Sequence, residues 1–281
     1  GVVRAHVAAK QCGLKLIIGT QVRVEDGPTL TLLATNRESY GHISALITRA
    51  RGRAAKGSYL VTWADLAWNL DHCLVLLIPR EPHPGPPAPC TPVRRKAAAF
   101  LAEEGLACKR GGNPDGEEAL HLHDHAGISP PSLPPPLEGE EVLHHARYLA
   151  QRFPQRAWIA AELLRGANDA AHLEALREVS AQSGLPLVAA GDVHMHVRSR
   201  KALQDTLTAI RHGVTVAEAG DRLLPNAERH LRTRPALART YPPQLLAESV
   251  AIARRCDFSL DVLRYEYPVE LVPAEIGRAH V

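Results

Sequence analysis

Between Gly184 and Gly191 the chain reads LPLVAA, a run without one polar side chain. A strand that is apolar on both faces has to be covered on both faces, so this run demands layers above and below it. The flanking segments supply them. Asn168 is placed to cap a helix whose inward positions are Leu173, Leu176 and Val179, and Gly184 is placed to stop it. Beyond the run, a helix is expected from about Ser199, with Leu203, Leu207 and Ile210 spaced to lie on one side. Upstream, Val142 to Arg152 reads as a helix and Trp158 to Ala161 as a strand ending in Glu162. Strand, helix, strand and helix in succession imply parallel pairing, and hence an α/β layered sheet or barrel.

The rest of the chain is compatible with that class. Val2 to Gln11 reads as a helix closed by Gly13, and Leu14, Leu16, Ile17 and Ile18 as a short strand. Leu30 to Ala34 and Leu74 to Ile78 are further strands. Arg37 to Arg51 should be a helix with Ile43, Leu46 and Ile47 inward, and Trp63 to Trp68 a short helical segment. A C-terminal helical region is expected over Pro225 to Cys256, with Leu246, Val250 and Ala253 on one face. The expected division is 1–224 as the β/α unit and 225–274 as a helical segment. Within the first, 80–140 reads as an irregular insertion. Proline clusters at 82–92 and 130–136 bound one helix there, Val93 to Glu104. That insertion contains HLHDH at 121–125, whose three histidines share a face only on a strand; its Gly- and Pro-rich flanks favour a solvated loop, and a local frameshift would give a similar composition.

With 281 residues, 45% of them hydrophobic, the chain can bury a large core. A net charge of +3 is too small to imply nucleic-acid binding on its own. Arginine greatly outnumbers lysine, which fits GC-rich coding as well as phosphate contact. Five cysteines, Cys12, Cys73, Cys90, Cys108 and Cys256, contain no CxxC pair, which suggests free thiols in a reducing cytoplasm. There is no apolar run of the roughly 18 residues that a membrane span needs, and no signal-peptide pattern, so a soluble cytoplasmic protein is expected. The lone methionine is Met195, so Gly1 is not read as a translation start. The last residues, EIGRAHV at 275–281, back-translate to a sequence resembling a sequencing adapter and read as a non-native tail.

Chemistry is expected at the carboxyl ends of the parallel strands, where loops converge on rigid supports. Glu162, Asp192 and His194 stand at such ends. Asp192 and His194 are suitable ligands for zinc or manganese. The competing reading makes Asp192 a helix cap and His194 an ordinary polar residue. Arg198, Arg200 and Lys201, with Arg232, Arg234 and Arg239, form either a phosphate-contacting surface or a solvated face. Arg254 and Arg255 suit the negative end of a helix dipole.

Five stretches carry a family resemblance: AAKQCGLKLIIG, LTLLATNRESYGHISALITRA, GLPLVAAGDVHMHVRSRKALQDTLTAIRHG, NAERHLRTRPALARTYPPQLLAESVAIARRC and RYEYPVELVP. They resemble the amino-terminal PHP (polymerase and histidinol phosphatase) domain of bacterial C-family DNA polymerases, on the error-prone, translesion branch. The resemblance covers nearly everything but 80–140 and the tail. It implies a distorted PHP-type (β/α) barrel, incomplete at its N-terminus, with the C-terminal helical segment leading to a polymerase region.

The DxH element of the family's metal cluster falls on Asp192 and His194. Four other ligand positions fall on Gln21, Thr29, the Pro79–Arg80 pair and Gly166, none of them the family's donor, while the remaining elements would lie upstream of Gly1. The resemblance therefore implies a degenerate zinc or manganese site with no catalytic residue in this stretch and no assigned DNA-binding residue. The magnesium of nucleotidyl transfer would belong to a palm domain further along the chain. DNA and dNTPs are the implied substrates of the parent protein in repair and damage-induced synthesis, with a sliding clamp and mutagenesis accessory proteins as partners. The alternatives are a metal-dependent phosphoesterase of histidinol-phosphatase type and a purely structural module.

Overall fold

The computed structural model describes residues 1–79 and 138–264. The 93–104 helix, the HLHDH histidines and the 275–281 tail lie outside the described residues. Five described strands form one mixed sheet in the order β1 (Gly19–Arg23), β2 (Thr29–Leu33), β3 (Leu74–Ile78), β4 (Ala157–Glu162), β5 (Leu187–Ala190). β1, β2 and β3 pair antiparallel, while β3, β4 and β5 pair parallel, with Val75 opposite Ala157 and Ile159 opposite Leu187. Parallel pairing thus holds where strands alternate with helices. Among the described residues the sheet is open, not closed into a barrel, with β1 and β5 at its edges.

The first strand is displaced from its expected place. Leu14 to Ile18 precede β1; only Ile18 joins the ladder, its carbonyl accepting from Ala34 N–H at 2.9 Å, and Leu14 is exposed. β1 instead begins at Gly19, where a Cβ would lie 2.4 Å from the Leu32 carbonyl oxygen, a close approach that only glycine permits. The Asp26–Gly27–Pro28 turn then folds β1 back on β2, with Asp26 at φ 49°.

Successive strand residues point to opposite faces, and two cores result. On one face Val75, Leu77, Ile159 and Ala161 pack with Leu30 and Leu32 against helices α2 (Arg37–Gly52), α4 (Glu138–Arg152) and α5 (Asp169–Ser183). α2 contributes Ile43, Leu46 and Ala50, α4 contributes Ala146 and Leu149, with Phe153 just beyond its end, and α5 contributes Leu176. On the other face Leu74, Trp158 and Val188 meet Ile252 and Cys256. LPLVAA is therefore covered on both sides, Val188 by the smaller core and Leu187 and Ala189 by the larger.

Local chemistry fixes the helix ends. Asn36 caps α2 by accepting from Ser39 N–H at 2.9 Å, and Gly184 ends α5 at φ 76°. Helix α3 (Trp63–Ala67) starts at Thr62, whose N–H (2.9 Å) and hydroxyl (3.0 Å) donate to the buried Asp65 carboxylate; Arg53 Nη1 donates at 2.7 Å. Burial of Asp65 works to raise its pKa, but these donors outweigh it and hold the carboxyl below its usual range.

Two helix faces differ from expectation. In α6 (Lys201–His212), Leu203, Leu207 and Ile210 do share a stripe, but each is exposed and only Ala209 is buried, because this helix leaves the strand-end loops without packing back on the sheet. The Pro225–Cys256 region is helical only over α7 (Arg234–Thr240) and α8 (Pro243–Arg255), after an irregular segment at 225–233. In α8 the buried residues are Leu245 and Ile252; Leu246 is partly buried and Val250 is exposed, since the face turned to β5 is one step round from the one expected.

Candidate functional site at the strand ends

Strands β4 and β5 finish side by side, with Glu162 opposite Ala190, so the chain after each emerges at one edge. Asp192 follows β5 at φ 39°, in the left-handed region that aspartate tolerates better than most residues. The segment at 226–232 lies against this edge. His194 N–H and Met195 N–H both donate to the Arg229 carbonyl, at 2.9 and 3.1 Å, and Leu231 N–H returns a bond to the Met195 carbonyl at 3.1 Å. This backbone pairing delivers the Arg229 side chain between the two strand-end carboxylates.

One atom of Arg229, Nη1, meets both of them. It is bonded to Asp192 Oδ2 and lies 3.4 Å from Glu162 Oε2. His194 Nε2 lies 3.1 Å from the same Asp192 oxygen. The Arg229 side chain is only 13% exposed, so its charge is poorly shared with water and is spent on the carboxylates.

A second cluster adjoins the first. Glu228 is buried and takes Arg198 Nη2 at 2.5 Å, with Arg165 Nε and Arg232 Nε at 3.7 and 3.8 Å from its other oxygen. Arg232 Nη2 also donates to the Leu163 carbonyl at 2.8 Å, and Asn226 Nδ2 to the Leu164 carbonyl at 2.8 Å. Tyr241 completes the edge. Its hydroxyl donates to the Ala190 carbonyl at 2.5 Å and accepts from Leu163 N–H at 3.2 Å, so one phenol ties the ends of β4 and β5 together. Burial pushes that phenol's pKa upward.

The residues singled out from the sequence are thus distributed unevenly. Asp192 and His194 do come together, and Glu162 joins them through Arg229. Gln21 lies exposed on β1, Thr29 is in β2 and the Gly166 N–H donates to Asp169 Oδ1 at 3.1 Å. Asp169, not Asn168, supplies the side chain acceptors at the start of α5, since Asn168 makes no side-chain cap bond. Of the basic residues, Arg198 and Arg232 are turned onto Glu228 and Lys201 onto Asp205. Arg255 donates to the Gln155 carbonyl at 2.7 Å. Arg229, Glu228 and Asn226 carry no local signal and are placed by the long-range pairing of 226–232 with the β5 exit, while Tyr241, at the end of α7, is placed by its bonds to Leu163 and Ala190.

A divalent-cation cluster does not fit this arrangement. Among the described residues no group of three or more His, Cys, Asp or Glu is set to hold a metal ion. The positive observation is stronger: a guanidinium nitrogen already sits between the two carboxylates that a cation would need.

The fold and site define an α/β domain in which an ion-pair cluster gathers at the carboxyl ends of β4 and β5. The chain is similar to one part of several proteins named error-prone DNA polymerase. It is 43% identical over 279 residues to the error-prone DNA polymerase of Dechloromonas aromatica (strain RCB), a match covering 98% of this chain and 22% of that protein. It is 44% identical over 273 residues to that of Pseudomonas fluorescens (strain Pf-5), covering 97% and 21%. The Bordetella bronchiseptica (strain RB50) protein of the same name is 44% identical over 279 residues, covering 98% and 22%. The chain therefore spans about a fifth of the length of these relatives. No protein-family model matches it. Among the described residues no helix is long and apolar enough to cross a membrane.

Proposed function

We propose that this chain is a PHP-type supporting domain of an error-prone DNA polymerase. The observation that carries the reading is the near-complete match of the chain to one region of polymerases about five times its length. In this reading the strand-end cluster is a degenerate metal site, held as scaffold. The parent protein uses DNA and dNTPs in the cytoplasm, in translesion synthesis and repair, together with a sliding clamp and accessory proteins. Its nucleotidyl transfer uses magnesium bound in a palm domain elsewhere in the polypeptide.

The second reading, a phosphoesterase of histidinol-phosphatase type, draws on the Asp192–His194 pair at a strand end. Its support is reduced by Arg229, which occupies both carboxylates. A pair of assays on the full-length protein separates the two. Extension of a primed template with dNTPs and magnesium, without hydrolysis of p-nitrophenyl phosphate, is the expected result. Phosphomonoester hydrolysis that disappears in Asp192→Asn, with no primer extension, would establish the phosphoesterase instead.

A further inference from the structure

We propose that the apolar stripe of α6, made by Leu203, Leu207 and Ile210, docks in cis against an apolar surface of the remaining four-fifths of the parent polypeptide. The inference rests on the reading of this chain as one part of a longer polymerase, and it names the face that this part presents to the rest.

The stripe occupies positions i, i+4 and i+7, which line up on one side of a helix. Leu203 is 50% exposed, Leu207 53% and Ile210 67%, while Ala209 is the one buried residue of the helix. Single apolar side chains scattered over a surface are ordinary, but three in register on one helix mark a contact site. The approach to the helix has the same character. Val193 and Val197 are exposed, and so is Leu231, whose N–H donates to the Met195 carbonyl between them at 3.1 Å.

The polar groups of α6 select the class of partner. Lys201 is its only lysine, and Nζ donates to both oxygens of Asp205, at 2.9 and 2.7 Å. The Thr206 and Thr208 hydroxyls donate to the Ala202 and Gln204 carbonyls of the helix itself. Its other basic residues, Arg211 and His212, stand at its carboxyl end, where they suit the helix dipole. A helix that lies on nucleic acid or on a lipid surface needs cations along its polar face. α6 has no such row, so its exposed leucines and isoleucine fit an apolar protein surface.

Length identifies that surface. The relatives match nearly all of this chain but only 21–22% of their own length, so about four-fifths of each polypeptide lies outside the match. A surface tethered in the same polypeptide meets the stripe at an effective concentration in roughly the millimolar range, which a second copy of a cellular enzyme does not reach.

The test is hydrogen exchange read by mass spectrometry on the full-length protein, comparing wild type with Leu203→Glu/Leu207→Glu. Both substituted side chains are exposed in this domain, so exchange in α4 should not change. Amides of 201–212 should exchange at least about tenfold faster in the variant, and one segment outside residues 1–281 should accelerate with them. Leu207→Gln repeats the measurement if the double variant does not fold.

Three results would overturn the proposal. One is unchanged exchange at 201–212 in every folded variant. Another is a responding segment that lies within residues 1–281, whether in the same chain or, with a dimer in sedimentation, in a second copy. The last is protection of 201–212 that arises only when primed DNA is added. Primer extension by the same preparations reports on the polymerase reading separately: its absence would remove that reading and leave the exchange result intact.

Discussion

The large core beneath the sheet and the polar edge at the ends of β4 and β5 solve the same problem in different ways. In the core, β-strands and helices are joined by apolar contact: Leu30, Leu46, Leu149 and Phe153 are fully buried among other hydrocarbons. At the edge, three chain segments are joined by Arg229, Glu228 and Tyr241, each of which reaches across to another segment through a polar atom. The first arrangement tolerates no cavity. The second depends on charge more than on volume, and it leaves two buried atoms, Glu228 Oε2 and Arg232 Nη1, without a hydrogen-bond partner. The difference explains how charged and polar side chains at the strand ends serve as a joint between segments.

The largest effect should come from breaking the core. Phe153→Ala removes a fully buried ring and should cost about 3–5 kcal/mol of stability, read from urea unfolding. A loss below about 1 kcal/mol, the size typical of a surface change, would mean that the core is not the dominant support.

A titrating group inside the core sharpens the contrast. His145 is buried beside the Trp63 ring, 5.2 Å between centroids, and burial, with a smaller contribution from His144, pushes its pKa down to about 4 from 6.5. The unfolded chain therefore takes up this proton first as pH falls. Stability contributed by neutral His145 is complete above pH 6.5 and is lost progressively as pH falls from 6.5 towards 4, by up to about 3 kcal/mol. His145→Gln should flatten that part of the stability–pH curve. An unchanged slope would contradict the assignment.

At the polar edge, Tyr241→Phe keeps the ring but leaves the Ala190 carbonyl and Leu163 N–H without their partner. The expected cost is about 1–2 kcal/mol, with faster hydrogen exchange at Leu163. Arg198→Ala should be the mildest of the set. Its side chain is 53% exposed, and Arg165 and Arg232 remain within 4 Å of the buried Glu228 carboxylate, so loss of the pair should change stability by less than about 1 kcal/mol in thermal melts. A loss as large as that of Tyr241→Phe would show that exposed charges, and not the buried hydroxyl, hold the edge.

How far the sequence discloses this molecule follows the same division. Elements defined by local apolar spacing and end signals are legible: α2 from Asn36 and its Ile43–Leu46 face, β3 from LVLLI, α5 from Gly184, and the two-sided covering of LPLVAA. The apolar run Leu14 to Ile18 places the first strand too early, because the ladder begins at Gly19, where the backbone approaches Leu32 closely. The exposed stripe of α6 shows that amphipathic spacing locates a helix face without locating its neighbour. Asp192 and His194 were visible as a strand-end pair. Arg229 was not, because its role comes from a backbone pairing between segments more than thirty residues apart.

A guanidinium joins the strand-end carboxylates, Arg229 Nη1 meeting Asp192 Oδ2 and lying 3.4 Å from Glu162 Oε2. The most direct test is anomalous diffraction from crystals of the unaltered protein soaked in MnCl2. Continuous side-chain density for Arg229 between Glu162 and Asp192, with no anomalous peak there, is the expected result. A manganese peak bonded to Asp192 and His194, with Arg229 displaced, would contradict it.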